Sequence, residues 1–494
     1  MATIKGVITD QASGEPAACT VHVLSANGTF IHPHGAVLKV GPGTPAFYCD
    51  GSFEVKVPTG GVRVLVERGT EYVPLERNLT VTETQTVDLE LPLQRWSHLT
   101  EQGWYPGNTH IHYDEKEQQR DDRLALEGHV HDFSVTVVSV LRRWDLDYAS
   151  NHFPIGVMTD LSTSHHVVDI GEENRHNFHG EQGGVGQEIG YGHVMFLRIR
   201  NLVEPVSRGM LIDNLDPDYP PICHACDDAR AQDGIVLWCH NGRGLEAPVA
   251  AALGKLDGFN LFDPFWMDPE YEIWYRLLNC GIPLPASTGS DWFVCSNNRV
   301  YVDTGGGDTG GQGFDYDRWI DGLKAGRTFI TNGPALFLRA DGAAPGDTLD
   351  VQPDRALEVE IELKSHHRVD RIELVCNGAV VKHWHRPAGV AAETIRERFT
   401  PPGDGWIAAR CYSHERDSYD QEIFAHTSPI YLRCGSPNPA AKPDAAWFID
   451  GIDVALDQWV SHKLRYGSDR QREEVRELFK RGRDFFAGVR GQDG

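Results

Sequence analysis

Gly107-Asn108-Thr109-His110-Ile111-His112 decides how the rest of the chain is read. It reads as the end of a short strand. Positions i and i+2 of a strand share a face, so His110 and His112 project together. Two imidazoles on one face at a strand end make half of a divalent-metal site. For this pair alone the competing reading is two half-buried histidines, and the choice rests on what surrounds it.

Around this stretch, from about 100 to 332, strand-like runs alternate with helical ones. The strand candidates are 109–112, 134–141, 167–171, 193–199, 234–239, 258–262 and 282–288. The clearest helix begins at Asp268-Pro269 and ends at Gly281, with Asp as cap, Pro in the first turn and Gly as stop. Asp317–Gly326 reads as a last helix of the same region. Such alternation implies an α/β class built from parallel β/α units. No glycine-rich dinucleotide turn follows any strand, so a closed or distorted barrel is expected over an open sheet. Chemistry in such barrels sits at the C-terminal strand ends. The glycine-rich run from Gly305 to Gly313 lacks the Gly-Lys-Ser/Thr ending of a phosphate loop.

The strand-end rule selects a set of residues. His110 and His112 end the first strand, and Gly171-Glu172-Glu173 ends the third. His193 begins the next, His240 follows Ile235–Cys239, and Asp291 follows Gly289-Ser290. These are groups that bind Zn²⁺, Mn²⁺ or Fe²⁺. His129-Val130-His131 and His165-His166 precede strands and fall at the opposite end. His32-Pro33-His34 reads as loop histidines, and His366-His367, His383 and His385 as surface residues of the C-terminal region. Cys223-x-x-Cys226 has no second cysteine pair at zinc spacing.

The flanks have another texture. Residues 1–98 carry short alternating strands at 4–9, 20–24, 52–58, 62–67 and 84–91, which suggests a small β-sandwich. Residues 333–436 read as a second sandwich, with strands at 356–363, 371–376, 406–412 and 428–433. The tail, 437–494, is helical and charged, and reads as a docking helix or a homo-oligomer contact.

Bulk numbers narrow the partners. Net charge is −25, from 46 Lys+Arg against 71 Asp+Glu, which repels nucleic acid and anionic membrane and leaves a small molecule as the expected partner. No run of about 18 apolar residues occurs. The start, Met1-Ala2-Thr3-Ile4, enters a strand without an apolar leader, and the scattered cysteines suit reduced thiols, so a cytoplasmic home is expected.

Five motifs then occur in order: Gly-Asn-Thr-His-Ile-His, Gly171-Glu172-Glu173, Gly192-His193-Val194, Trp238-Cys239-His240-Asn241 and Gly289-Ser290-Asp291. Their sequence resembles the ordered motifs of the polymerase-and-histidinol-phosphatase (PHP) metallohydrolase superfamily. Within it the chain is most similar to the CehA/McbA (carbaryl hydrolase-like) family. Ala325–Pro334, Ile372–Gly378, Trp406–Arg410 and Ala425–Tyr431 extend the likeness over nearly the whole chain. Gly-x-Phe-x-Val-x-Val-Pro-x-Gly at 51–60 resembles carboxypeptidase regulatory-like modules. The resemblance implies a distorted (β/α)7-type PHP barrel between two β-sandwich domains. It also implies a metal site of His110, His112, Glu173 and Asp291, and a second of bridging Glu173, His193 and His240. Glu172 and Glu188 are alternatives for Glu173. The superfamily's third metal has lost its ligands here: the matching places read Glu117-Gln118-Gln119, Leu141-Arg142-Arg143 and Asp291-Trp292-Phe293. One or two ions are therefore expected, zinc first, with manganese or iron as alternatives.

A metal ion lowers the pKa of bound water and polarises a carbonyl or phosphoryl oxygen. Arg142, Arg143 and Arg243 are candidates to stabilise developing negative charge, each set against a structural ion pair. Tyr113, Trp238, Trp292 and Phe293 would wall an aromatic pocket. The expectation is a hydrolase of a carbamate, amide or ester, with a phosphoesterase or a non-catalytic metal-binding relict as alternatives. No Gly-x-Ser-x-Gly nucleophile elbow occurs.

Overall fold

The computed structural model describes residues 1–143, 153–177, 189–212, 215–262, 270–306 and 314–491. The fold is mixed α/β and rich in sheet.

The N-terminal strands form two sheets, one of Ser52–Val57, Ala2–Asp10 and Thr86–Leu93, the other of Phe47–Asp50, Ala18–Ser25, Gly60–Glu67 and Leu75–Val81. Alternation along each strand turns Ile4, Ile8, Val21, Val55, Val64 and Leu91 into one shared core. Two edge strands escaped the sequence reading. Phe47–Asp50 is only four residues long, and most of Leu75–Val81 is half-exposed or exposed, so neither shows a clear apolar face.

In the middle region Trp104–Ile111, Val135–Val140 and Val167–Asn177 run parallel, as do Ile235–Trp238, Gly258–Asn260 and Ala286–Ser287. Between these two groups Ile189–Leu197 runs antiparallel to both neighbours, so the expected all-parallel order is corrected. Only residues 178–188 separate this strand from the one before it, too few for a parallel crossover. The third strand also runs past the expected end at Gly171 to Asn177. Its last residues, Glu-Glu-Asn-Arg-His-Asn, are polar and buried on both faces, so they carry no hydrophobic alternation to read. Past Ser287 the chain returns to the first strand: Ser290 and Asp291 donate N–H bonds to the His110 carbonyl (2.8 and 2.9 Å). Gly289 permits this contact, because a Cβ there would lie 2.4 Å from His110 Cβ.

The C-terminal strands pair on with the middle ones, Thr328–Thr331 with Glu422–Thr427, and also enclose a hydrophobic core of their own. The two strands expected at 356–363 and 371–376 are one, Leu357–Cys376, bent by register shifts between Lys364 and Arg371. Its first half pairs with Ala335–Ala340 and its second with Gly405–Arg416, while both halves feed one core. Ala379–Phe399 was not expected, since its burial is low on both faces.

In the tail, Ala441–Val454 and Asp469–Gly491 bury Phe448, Val475, Phe479 and Phe486 in the same core as Trp238 and Val249. The tail thus docks on its own chain, while Trp447, Val454 and Phe485 of the same helices stay exposed. No helix among the described residues is long and apolar enough to cross a membrane.

Burial holds His131, His166 and His426 down to about 3, from an ordinary 6.5. His426 shows why. Its Nδ1 donates to the Thr427 carbonyl (2.7 Å) and its Nε2 accepts from Tyr275 Oη (2.6 Å), which leaves no room for a second ring proton. Between pH 6.5 and 3 the unfolded chain binds a proton at this site that the folded chain refuses, so stability falls as pH drops. Glu71 and Glu172, raised to about 7 by burial, act in the opposite sense over pH 7 to 4.5. We expect His426→Gln to lose about 2 kcal/mol less unfolding free energy between pH 7 and 5 than the parent, as read by urea titration at both pH values.

Candidate metal centre

The topology gathers the expected ligands at one end of the sheet. His110 and His112 close Trp104–Ile111, and Glu173 lies one residue beyond the pairing of Glu172 with Val140. The antiparallel strand brings His193 opposite Arg175, at the same end. His240 follows Ile235–Trp238, and Asp291 bridges to Ile111. Strand alternation decides between the two glutamates. Glu173 faces the histidines, whereas Glu172 accepts from Asn174 Nδ2 (2.6 Å) and Val203 N (2.7 Å) on the other face. Glu188 lies outside the described residues.

Two groups of ligand atoms result, His110/His112/Glu173/Asp291 and Glu173/His193/His240, each with its atoms within 4.8 Å of one another and every residue buried. Around one ion at about 2.1 Å, donor atoms lie at most about 4.2 Å apart, so only slight closure is needed. His112 Nε2 lies 3.1 Å from Glu173 Oε2 and 3.2 Å from Asp291 Oδ1. Its Nδ1 donates to the Ser139 carbonyl (2.8 Å), which leaves Nε2 with a lone pair. His193 is arranged the other way round. Nε2 donates to Asn177 Oδ1 (2.6 Å), and the lone pair of Nδ1 faces Glu173 Oε1 and His240 Nε2, both at 2.9 Å. Acceptor therefore faces acceptor in a buried setting, and Glu173 Oε2 has no hydrogen-bond donor among the described residues. A proton is a poor remedy, because burial and Arg175 hold His193 down to about 3. Burial pushes the two carboxyls upward, yet Arg175 and His193 hold Glu173, and His110 and His112 hold Asp291, well below the usual carboxylate range. The donor set fits one or two divalent cations.

The backbone is held in costly conformations here. His240 and Asp291 adopt φ of 58° and 56°, the left-handed region that L-residues avoid. Asp291 N donates to the His110 carbonyl (2.9 Å), and next to His240 the Asn241 Oδ1 accepts from Phe262 N (3.0 Å).

The other predicted residues divide. Trp292 and Phe293 are partly exposed and stack at 5.0 Å, with Trp292 5.6 Å from the His112 ring. Arg143 is buried and lies 5.7 Å from the Trp292 ring centre. Arg142 points away, exposed and ion-paired to Glu204 at 3.0 Å. Arg243 is exposed, and its carbonyl accepts from Trp238 Nε1. Tyr113 and Trp238 are fully buried core residues, Tyr113 donating to Glu127 Oε2 (2.6 Å). His131, His32, His34, Cys223 and Cys226 join neither ligand group.

Sequence reasoning passed over Arg175 and Asn177. Arg175 is 5% exposed, with Nη1 3.3 Å from Glu173 Oε2 and the guanidinium 5.5 Å from the Trp292 ring. Its Nε and Nη1 have no hydrogen-bond acceptor among the described residues. The signal was available, since Arg175 is the i+2 neighbour of Glu173.

No family model matches this chain, and no curated protein matches it. Among solved structures, a β-glucuronidase of Parabacteroides merdae is 11% identical, with a TM-score of 0.15. The alignment covers 85% of this chain and 60% of that one. A likeness of that size carries no argument.

Glu173→Gln should empty both groups, because the shared carboxylate loses its charge, whereas Glu172→Gln and His131→Ala should keep their metal. Elemental analysis of freshly purified variants checks this, with one or two ions per chain expected for the parent. A Glu172→Gln protein that loses its metal while Glu173→Gln keeps it would reverse the assignment.

Proposed function

We propose that the chain is a metal-dependent hydrolase that cleaves a carbamate, amide or ester bond of a small organic substrate. We place it with the PHP metallohydrolases of CehA/McbA type. The observation that carries the reading is the buried two-group donor cluster with a guanidinium, Arg175, against its shared carboxylate. Support for the barrel comes from the run of pairings from Trp104–Ile111 to Ala286–Ser287, together with the backbone bonds that return 290–291 to His110. In support of a reducing, cytoplasmic setting, all ten cysteines are free.

His110, His112, Glu173 and Asp291 would hold one ion, and Glu173, His193 and His240 a second. Zinc is our first choice for both. Such an ion, when bound, acidifies water and polarises a carbonyl. The chain's own residues do the rest. Ser139 and Asn177 fix the ring tautomers of His112 and His193, so each presents a lone pair. Arg175 sits where its uncommitted N–H groups can meet the oxygen that gains charge when a carbonyl becomes tetrahedral. Arg143, the second buried arginine, lies 5.7 Å from the Trp292 ring centre. Trp292 and Phe293 offer an apolar wall.

The second buried arginine is also the one observation that favours the alternative, a phosphoesterase, because two guanidinium groups suit a phosphate dianion. Substrate panels separate the two. Arg175→Ala should lower kcat on an ester or carbamate about a hundredfold, with metal content retained, whereas Arg142→Ala should change little. Hydrolysis in oxygen-18 water should label the acid product, or carbon dioxide from a carbamate. Efficient turnover of phosphomonoesters with no action on carbonyl substrates would overturn the first reading in favour of the second.

A further inference from the structure

A second feature lies two ring contacts from the metal centre. Trp292 touches the His112 ring and stacks on Phe293, and Phe293 lines a cavity of about 420 Å³. The opposite wall comes from another part of the chain, the loop between Ala18–Ser25 and Phe47–Asp50 of the N-terminal sheets. Its contribution is Leu38 and Val40, while Asp114, Lys116, Glu117 and Gln119 lie on the polar rim.

The loop is held in place at several points. Gln119 Nε2 donates to the Gly35 carbonyl (2.8 Å). Lys39 turns to the other side, where Nζ donates to the Ser418 carbonyl (2.6 Å) and lies 3.9 Å from the Tyr419 ring centre. Gly41 sits so close to Val294 that a Cβ would come within 2.9 Å of its side chain. With Lys39 directed away, Leu38 and Val40 share the opposite side, as i and i+2 residues of extended chain do. Leu38 is left 38% exposed. An exposed leucine beside a half-exposed phenylalanine, in a concave site next to a candidate reaction centre, is apolar surface that a ligand can cover. The rim carries one charge of each sign, Asp114 and Lys116, while Glu117 is already paired with Arg123 (2.7 Å), so its charges nearly cancel and favour an uncharged occupant.

We propose that this cavity takes an uncharged apolar substituent of the substrate, so that Leu38 and Val40 of the N-terminal domain set specificity for the hydrolytic site. The inference rests on the hydrolase reading for the identity of the occupant, but binding can be measured without turnover.

The test uses the full chain with Leu38→Asp, Val40→Asp and the milder Leu38→Ala. Val7→Asp, at a 54% exposed position on the far sheet of the same domain, serves as control. Phenol binding is followed by titration calorimetry, and phenyl acetate is compared with methyl acetate as substrate. In Leu38→Asp and Val40→Asp we expect phenol binding to weaken about tenfold. The ratio of kcat/KM for phenyl acetate to that for methyl acetate should fall to match, through KM. Val7→Asp should move neither. If neither acetate is hydrolysed but phenol binding still weakens in the Leu38 and Val40 variants, the hydrolase reading fails and the cleft stands. The inference is overturned if the parent does not bind phenol, or if these variants leave binding and the ratio unmoved.

Discussion

The rest of the site depends on one electrostatic conflict. Imidazole lone pairs and carboxylate oxygens face each other at 2.9 to 3.4 Å around Glu173 and Asp291, in a place that water barely reaches. Unpaired, such an arrangement is costly, because burial removes the solvent that would otherwise separate the acceptors. Among the described residues one guanidinium ion-pairs with this cluster, Arg175, which meets Glu173. A divalent ion in one or both groups would supply the missing positive charge.

The fold is arranged to sustain this conflict. Ligand histidines are tied by their far nitrogens to Ser139 and Asn177, so their near nitrogens cannot rotate away. His240 and Asp291 are kept at positive φ, a strain of order 1–3 kcal/mol each that packing must offset. Gly289 lets the last strand segment press on His110. The antiparallel strand, which looks like an interruption of the β/α pattern, is what places His193 opposite Arg175 rather than at the far end of the sheet.

Much of this was legible in the sequence, and the losses have physical causes. His110, His112, His193, His240 and Asp291 stood at strand edges because local alternation there is clear. Glu173 against Glu172 was open only until strand length was known, since a strand that runs on to Asn177 turns the two to opposite faces. The polar run 172–177 hid its own strand, because it is buried on both faces and so shows no alternation of apolar and polar residues. Arg142 and Arg143 are adjacent and looked equivalent. Alternation sent one to Glu204 at the surface and the other under Trp292. Tyr113 and Trp238 are aromatic residues whose burial depends on helix Arg120–Val130 and the tail, far away in sequence.

On the proposed kinship, the loss of a third metal also has a structural counterpart. The places that the resemblance matches to third-metal ligands read Glu117-Gln118-Gln119, Leu141-Arg142-Arg143 and Asp291-Trp292-Phe293 here, and one buried side chain joins the first and the last. Arg123 binds Glu117 with Nε and Nη2 (2.7 and 2.8 Å), while Nη1 reaches Glu127 (2.9 Å) and the Phe293 carbonyl (3.3 Å). In the remaining place Arg143 is the buried arginine. If the proposed kinship holds, fixed guanidinium groups would stand in a region where a cation is otherwise bound. A guanidinium differs from an ion in that it cannot exchange, keeps its charge at any working pH and directs its N–H groups in a plane. It also lets the aromatic pair Trp292–Phe293 occupy the mouth, since no ligand atom is needed there. Exchanging a metal for arginines and rings would move such a site from a highly charged substrate toward a neutral one, and the apolar wall of Leu38 and Val40 lies in the same direction.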